Sequence, residues 1–254
     1  MLTRTGCVVL FALIGSANLA VPESVLTSNG ATRVTVKMIL TSGFIGSDFV
    51  PDGNLEKEVW TSARKIRFDQ DAFNRKHYPE IETTVASRWT NKYLYLAYWC
   101  RYKTLNFYPE EDVRSERWEL WKRDVVEAFI APQSSNPNHY YEFEVAPNNQ
   151  WLDLEIDLDQ KSPHNPEWNS GFEHATRIDA ARHIWTVEMR IPVRSMGVRH
   201  SGPGPDWRIN LFRAEGVEEG PGRRLLSWSK LPVDNGTFHQ PAAFGTLEFA
   251  LPES

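Results

Sequence analysis

The residues of this chain whose types and spacing could do chemistry are acids set beside aromatic rings. Glu127 alternates against Val126, Ala128 and Ile130, and a few residues on Tyr140, Glu142 and Glu144 share one face of a two-residue repeat against Tyr141, Phe143 and Val145. In residues 151–158 the alternation puts Leu152, Leu154, Ile156 and Leu158 on one face, leaving Trp151, Asp153, Glu155 and Asp157 on the other. If these strands pair, a carboxylate-rich sheet face results. Three chemistries are open to such a face. It is the solvated side of an antiparallel sheet, which alternates apolar and polar residues. It holds a sugar, whose C–H face stacks on an aromatic ring while its hydroxyls donate to charged acceptors. Or it supplies the acid pair of a glycoside hydrolase, about 5 to 9.5 Å apart depending on mechanism.

Other chemistries are excluded or weakly signalled. The sequence has no Ser/His/Asp order, no nucleophile elbow and no Gly-rich phosphate loop. Its histidines, at positions 77, 139, 164, 174, 183, 200 and 239, are not paired at zinc-ligand spacing. Oxygen ligands for calcium could come from Asp48, Asp52 and Asn54 around Gly53, or from Asp153, Asp157 and Asp159, although neither set matches an EF-hand and turn or surface roles explain them better. A net charge of −5 with no Lys/Arg block speaks against a nucleic-acid partner. The aromatic count is high, with 10 Trp, 8 Tyr and 13 Phe, so some of that surface is available to face a ligand.

The elements that must position these residues are strands. At the N-terminus, Arg4, the apolar run Cys7–Ile14 and the small residues Gly15-Ser16-Ala17 read as a signal peptide, residues 1–20, with cleavage after Ala17 or Ala20. No later segment reaches the length of about 20 apolar residues that a membrane helix needs, so an exported protein without a span is expected, secreted or periplasmic. With Cys7 removed, Cys100 is left alone as a small core residue. Residues 21–45 read as a leader or linker ending in a strand. Leu55, Val59 and Ala63 carry a helical period over about two turns. From Thr83 onward the period is two. Strands are expected at 83–89, 93–100, 124–131, 140–145, 151–158, 175–180, 184–191, 207–213, 225–228 and 244–251, separated by turn clusters such as Pro147-Asn148-Asn149. The fold class is therefore all-β, a single antiparallel β-sandwich with jelly-roll or immunoglobulin-like layers and one short helix near the N-terminus, over residues 46–254.

Within that frame Trp121-Lys122-Arg123-Asp124-Val125-Val126-Glu127 resembles the W-x-x-D-x-V-E stretch of family 9 carbohydrate-binding modules. Arg88–Leu96 looks like that family's hairpin ending in a Leu-Tyr strand, Ser227-Trp228-Ser229 like its Ser-Trp-Ser, and Phe238–Gly245 like its closing aromatic-x-x-P-x-x-F-G. The resemblance covers roughly residues 45 to 250. It implies a β-sandwich that binds a saccharide without catalysis, alongside a catalytic partner protein in polysaccharide breakdown or uptake. It also implies that Trp121 and Phe238 clamp a sugar between them, with Glu127 and Asn235 bonding its hydroxyls. Phe238 stands where the family usually has Trp, Glu144 where it has Arg, and Ala146 near an Asn position. Glu144 thus joins the expected site as an acceptor in place of a cationic donor. No cofactor is implied, structural calcium aside. The alternatives are an envelope adaptor that binds another protein, a glycoside hydrolase, and a haem-binding sandwich using Met189 or Met196 as axial ligands.

Overall fold

A computed structural model describes residues 21–26, 32–109, 114–133, 135–198, 204 and 207–251. The expected signal peptide, residues 1–20, lies outside them. The regular elements of the described residues are strands, apart from one helical turn and a few 3-10 turns. Strands β1 (Val21–Leu26) and β2 (Thr32–Lys37) pair with each other as a separate two-stranded sheet. Then come β3 (Ile39–Phe44), helix α1 (Glu58–Thr61), β4 (Lys65–Phe68), β5 (Thr83–Trp89) and β6 (Tyr93–Arg101). The second half holds β7 (Val125–Ala131), β8 (His139–Val145), β9 (Trp151–Asp157), β10 (His164–Asn165), β11 (Glu173–Asp179) and β12 (Ile184–Pro192). Strands β13 (Arg208–Glu215), β14 (Arg224–Ser227) and β15 (Gly245–Ala250) close the fold.

All but the first two strands join one sheet in the order β10-β9-β8-β7-β13-β15-β3-β5-β6-β12-β11, with β14 added on β13 and β4 on β5. Every pairing is antiparallel except β15 with β3 and β3 with β5. Those two parallel joins come from β3, which falls inside the stretch read above as leader. The sheet curls so that its halves face each other. Val126, Phe143 and Leu211 from one half pack in the same apolar cluster as Leu96, Val187 and Ile191 from the other. Cys100 is buried and free in this core. Met189 and Met196 are 0% and 1% exposed within it, which leaves neither sulfur open to a haem.

The helical period near the N-terminus yields a single turn. Leu55, Trp60 and Ala63 bury under it, with Val59 only partly covered. The ten expected strands all form, with ends shifted by one or two residues. One expectation about phase is corrected. Strand β9 pairs with β8 so that Leu152 lies opposite Glu144, Leu154 opposite Glu142 and Ile156 opposite Tyr140. Directly paired residues of an antiparallel ladder point to the same face, so the leucines of β9, and not its acids, share a face with the glutamates of β8. Asp153 instead pairs with Phe143 on the opposite face.

Candidate functional site

The face of β9, β8, β7 and β13 turned away from the main core carries a second apolar cluster, including Phe129, Tyr140, Leu154 and Phe212. Three acids are set into it. The β7–β8 register puts Glu127 opposite Glu144 and Phe129 opposite Glu142, so the three carboxylates converge on one patch. One oxygen from each lies within 4.8 Å of the others, a spacing that could hold a metal ion. Exposure of Glu127, Glu142 and Glu144 is 2%, 3% and 0%. Burial, and then the neighbouring carboxylates, hold Glu127 and Glu144 well above the ordinary range. Burial also raises Glu142, to about 7. An ionised carboxylate is costly in such surroundings unless something compensates its charge.

Above the acids opens a cavity of about 450 Å³. Glu127 and Glu142 line its floor, Trp118 and Trp121 one wall, and Phe238 and His239 another. The tryptophan wall stands on a 3-10 turn, Leu120–Lys122, preceded by Glu119 in the left-handed conformation at φ 64°. Trp118 is 51% exposed and meets Trp121 edge to face, with centroids 5.1 Å apart. Asp124 pins this turn to its surroundings: its carboxylate accepts from the backbone N–H groups of Asn106 (2.9 Å) and Gly216 (2.5 Å). Arg223 reinforces the turn from behind by donating to the carbonyls of Trp121, Arg123 and Gly216.

The opposite wall is a loop whose turn at Gly236 (φ 74°) uses the conformational freedom of glycine. His239 is hydrogen-bonded through Nδ1 to the Tyr140 hydroxyl at 2.7 Å, and its Nε2 is 3.9 Å from Glu142. Burial, followed by the nearby His164, lowers it to about 4, so the ring is neutral at physiological pH.

Of the residues expected in the site, Trp121, Glu127 and Phe238 border the cavity, and Glu144 lies directly beneath it. Asn235 sits beside the lining residues Gly236 and Thr237, with its oxygen accepting from Gln240 Nε2 at 2.9 Å. The calcium candidates are dispersed. Asp48 accepts from the Thr90 hydroxyl at 2.7 Å. Asp52 is held by Lys57 at 2.8 Å, which lowers it to about 2. Asp153 bonds the backbone and hydroxyl of Ser170, and Asp157 bonds Asp159 and Gln160. Sequence reasoning missed Trp118, Arg223 and His239. It placed Glu142 on the same face as Glu144 without counting it in the site.

The model of the carbohydrate family 9 binding domain-like family matches residues 51–250. The chain belongs to this family. As a family 9-like domain it is a carbohydrate-binding module and not an enzyme. A curated relative named "Extracellular protein", from Arthroderma benhamiae, is 28% identical over 203 residues, covering 72% of this chain and 85% of that one. Among solved structures, a Bacteroides uniformis protein named for carbohydrate binding aligns with a TM-score of 0.66 at 19% identity, over 84% of this chain and 100% of that one. A family 9 module from Caldicellulosiruptor kristjanssonii aligns in two complexes. With cellotriose the TM-score is 0.57 at 14% identity, over 85% of this chain and 95% of the other. With glucose it is 0.58 at 13%, over 85% and 97%. At these identities the structures share the family 9-like module's fold.

Proposed function

We propose that this family 9-like module binds a saccharide in the cavity between the Trp118/Trp121 wall and the Gly236–His239 loop, with no catalysis of its own. The observation that carries this reading is an open aromatic wall above carboxylates that lack donors. A sugar ring stacks its C–H face on Trp121, and its hydroxyls supply the donors that Glu127 and Glu142 lack. Asn235 and Phe238 border the same mouth. The sugar complexes of the Caldicellulosiruptor module support a glucose-type ligand. The Arthroderma relative's name and the signal-peptide pattern expected at residues 1–20 support export, and we place the module outside the cytoplasm, next to an enzyme that acts on the same polysaccharide. A fold-stabilising calcium at the dispersed aspartates is not needed for this role.

A glycan array on the chain without residues 1–20, followed by calorimetry with the best hits, tests the reading. Binding to glucan-type oligosaccharides that is lost in Trp121→Ala is expected. Binding to no glycan, with a protein partner captured instead, would favour the adaptor.

A further inference from the structure

Glu144 is fully buried, and neither of its carboxylate oxygens accepts a hydrogen bond from an N–H or O–H group. Glu127 Oε1 and Glu142 Oε2 are in the same condition. The buried acid Glu188, by contrast, is fully provided for. Glu188 receives the backbone N–H groups of Asp52 and Gly53, the Trp60 indole N–H and the Lys57 ammonium. The contrast shows that the patch under the cavity is short of positive partners. Arg223 acts on Glu127 and Glu144 through its charge, while the hydrogen bonds it makes go to three carbonyls and not to these acids. A proton shared between Glu142 and Glu144 satisfies one oxygen of each and does nothing for Glu127. A small cation meets all three at once.

We infer that Glu127, Glu142 and Glu144 together bind a divalent cation of the calcium type, and that its remaining coordination positions open into the cavity and take two neighbouring hydroxyls of the saccharide. Oxygen-only ligation selects a hard cation, which forms bonds of about 2.3 to 2.6 Å to six to eight oxygens. Carboxylate oxygens within 4.8 Å of one another fit around such an ion. Three carboxylates do not complete that shell unless all bind through both oxygens, and the side left open is the cavity that Glu127 and Glu142 border. Adjacent sugar hydroxyls are neutral oxygen ligands at a fixed spacing and suit that side. The second half of this inference rests on the saccharide reading; the first half does not.

The test uses the chain stripped with a chelator and dialysed, in wild type, Glu144→Gln and Glu127→Gln forms, each checked by circular dichroism. Calcium should raise the melting temperature of the wild type, and terbium should give emission sensitised by Trp118 and Trp121. Both responses should weaken at least tenfold in metal concentration in each variant that folds. Saccharide affinity should fall at least tenfold when chelator is added. No response to calcium, manganese or terbium in the wild type would overturn the cation site. So would a response that both variants retain. Cation binding together with a saccharide affinity that ignores chelator would overturn the hydroxyl contact alone. A cation response in a chain that binds no glycan would remove the saccharide reading and leave the cation site standing.

Discussion

Phe238 lies flat against Phe212, with ring centroids 4.3 Å apart and planes 10° from parallel. Phe212 belongs to β13, so one face of Phe238 is sealed by the sheet and only 8% of the residue is exposed. A ring covered in this way offers a ligand less surface than a free plate does. The two sides of the cavity are unequal, and the stacking proposed above falls to the more exposed tryptophan wall.

Truncating the two aromatic sides should therefore separate stability from binding. Phe238→Ala empties a packed site among Phe212, Phe129 and Leu231 and should cost about 3 to 5 kcal/mol of stability. Urea denaturation measures this. A Phe238→Ala chain as stable as wild type that loses glycan binding would show that Phe238 is a platform after all.

Trp118→Ala and Trp121→Ala should behave in the opposite way. Each should weaken saccharide binding by about 1 to 3 kcal/mol, the usual range for an aromatic anchor. Trp118, 51% exposed, should leave the midpoint of unfolding nearly unchanged. Trp121, partly buried against the second cluster, should lower it modestly. Calorimetry and denaturation on both variants check this, and unchanged affinity in both would move the ligand elsewhere.

These residues also show what the sequence could and could not reveal. Alternation over 125–131, 139–145 and 151–157 located β7, β8 and β9, because successive side chains of a strand point to opposite faces. It did not reveal which face of β9 meets which face of β8. Both faces of β7 and β8 are buried, so Leu152, Leu154 and Ile156 satisfy a core on either side, and a choice of phase reverses every side chain. The motif around Trp121 marked one wall because it is local in the chain. Arg223 reaches the cavity only through long-range pairing and Trp118 sits in a turn without periodicity, so neither left a pattern to read, while His239 lay inside the Phe238–Gly245 motif at a position that motif leaves open. Strand β10, two residues long, was too short to show a pattern.

Glu188 ties the 52–60 segment to β12, and its removal should be costly. Glu188→Ala strands the Trp60 indole N–H and two backbone N–H groups and leaves Lys57 with Asp52 alone, and should destabilise the fold by about 3 to 5 kcal/mol, since each buried donor left without an acceptor costs about 1 to 3 kcal/mol. Glu144→Gln should cost far less, because no donor loses its acceptor there. Equal losses in the two variants would mean that Glu144 has a partner in the folded chain.

The pH dependence of stability should carry a contribution from His174. Its ring packs between Phe172 and Trp151, with Nδ1 2.9 Å from the Asn149 side-chain oxygen, and burial lowers it to about 4. The folded chain keeps this ring neutral, whereas the unfolded chain binds a proton near pH 6.5. Between those two values the unfolded state holds more protons, so stability is fully present above about pH 6.5 and declines as the pH falls toward 4. The loss is on the order of 3 kcal/mol at most, from about 1.4 kcal/mol for each unit between the two values. His239, lowered to about 4 by burial, adds a loss in the same direction, while Glu142, raised to about 7, opposes it. The wild-type profile alone therefore cannot assign the effect, and a difference between chains must. Denaturation of wild type and His174→Gln at pH 7.5, 6, 5 and 4.5 should give a gap that narrows steadily with acid, because the variant has lost the group that takes up the proton. Parallel profiles over the whole range would mean that His174 is protonated in the folded chain and that its neighbours do not hold it neutral.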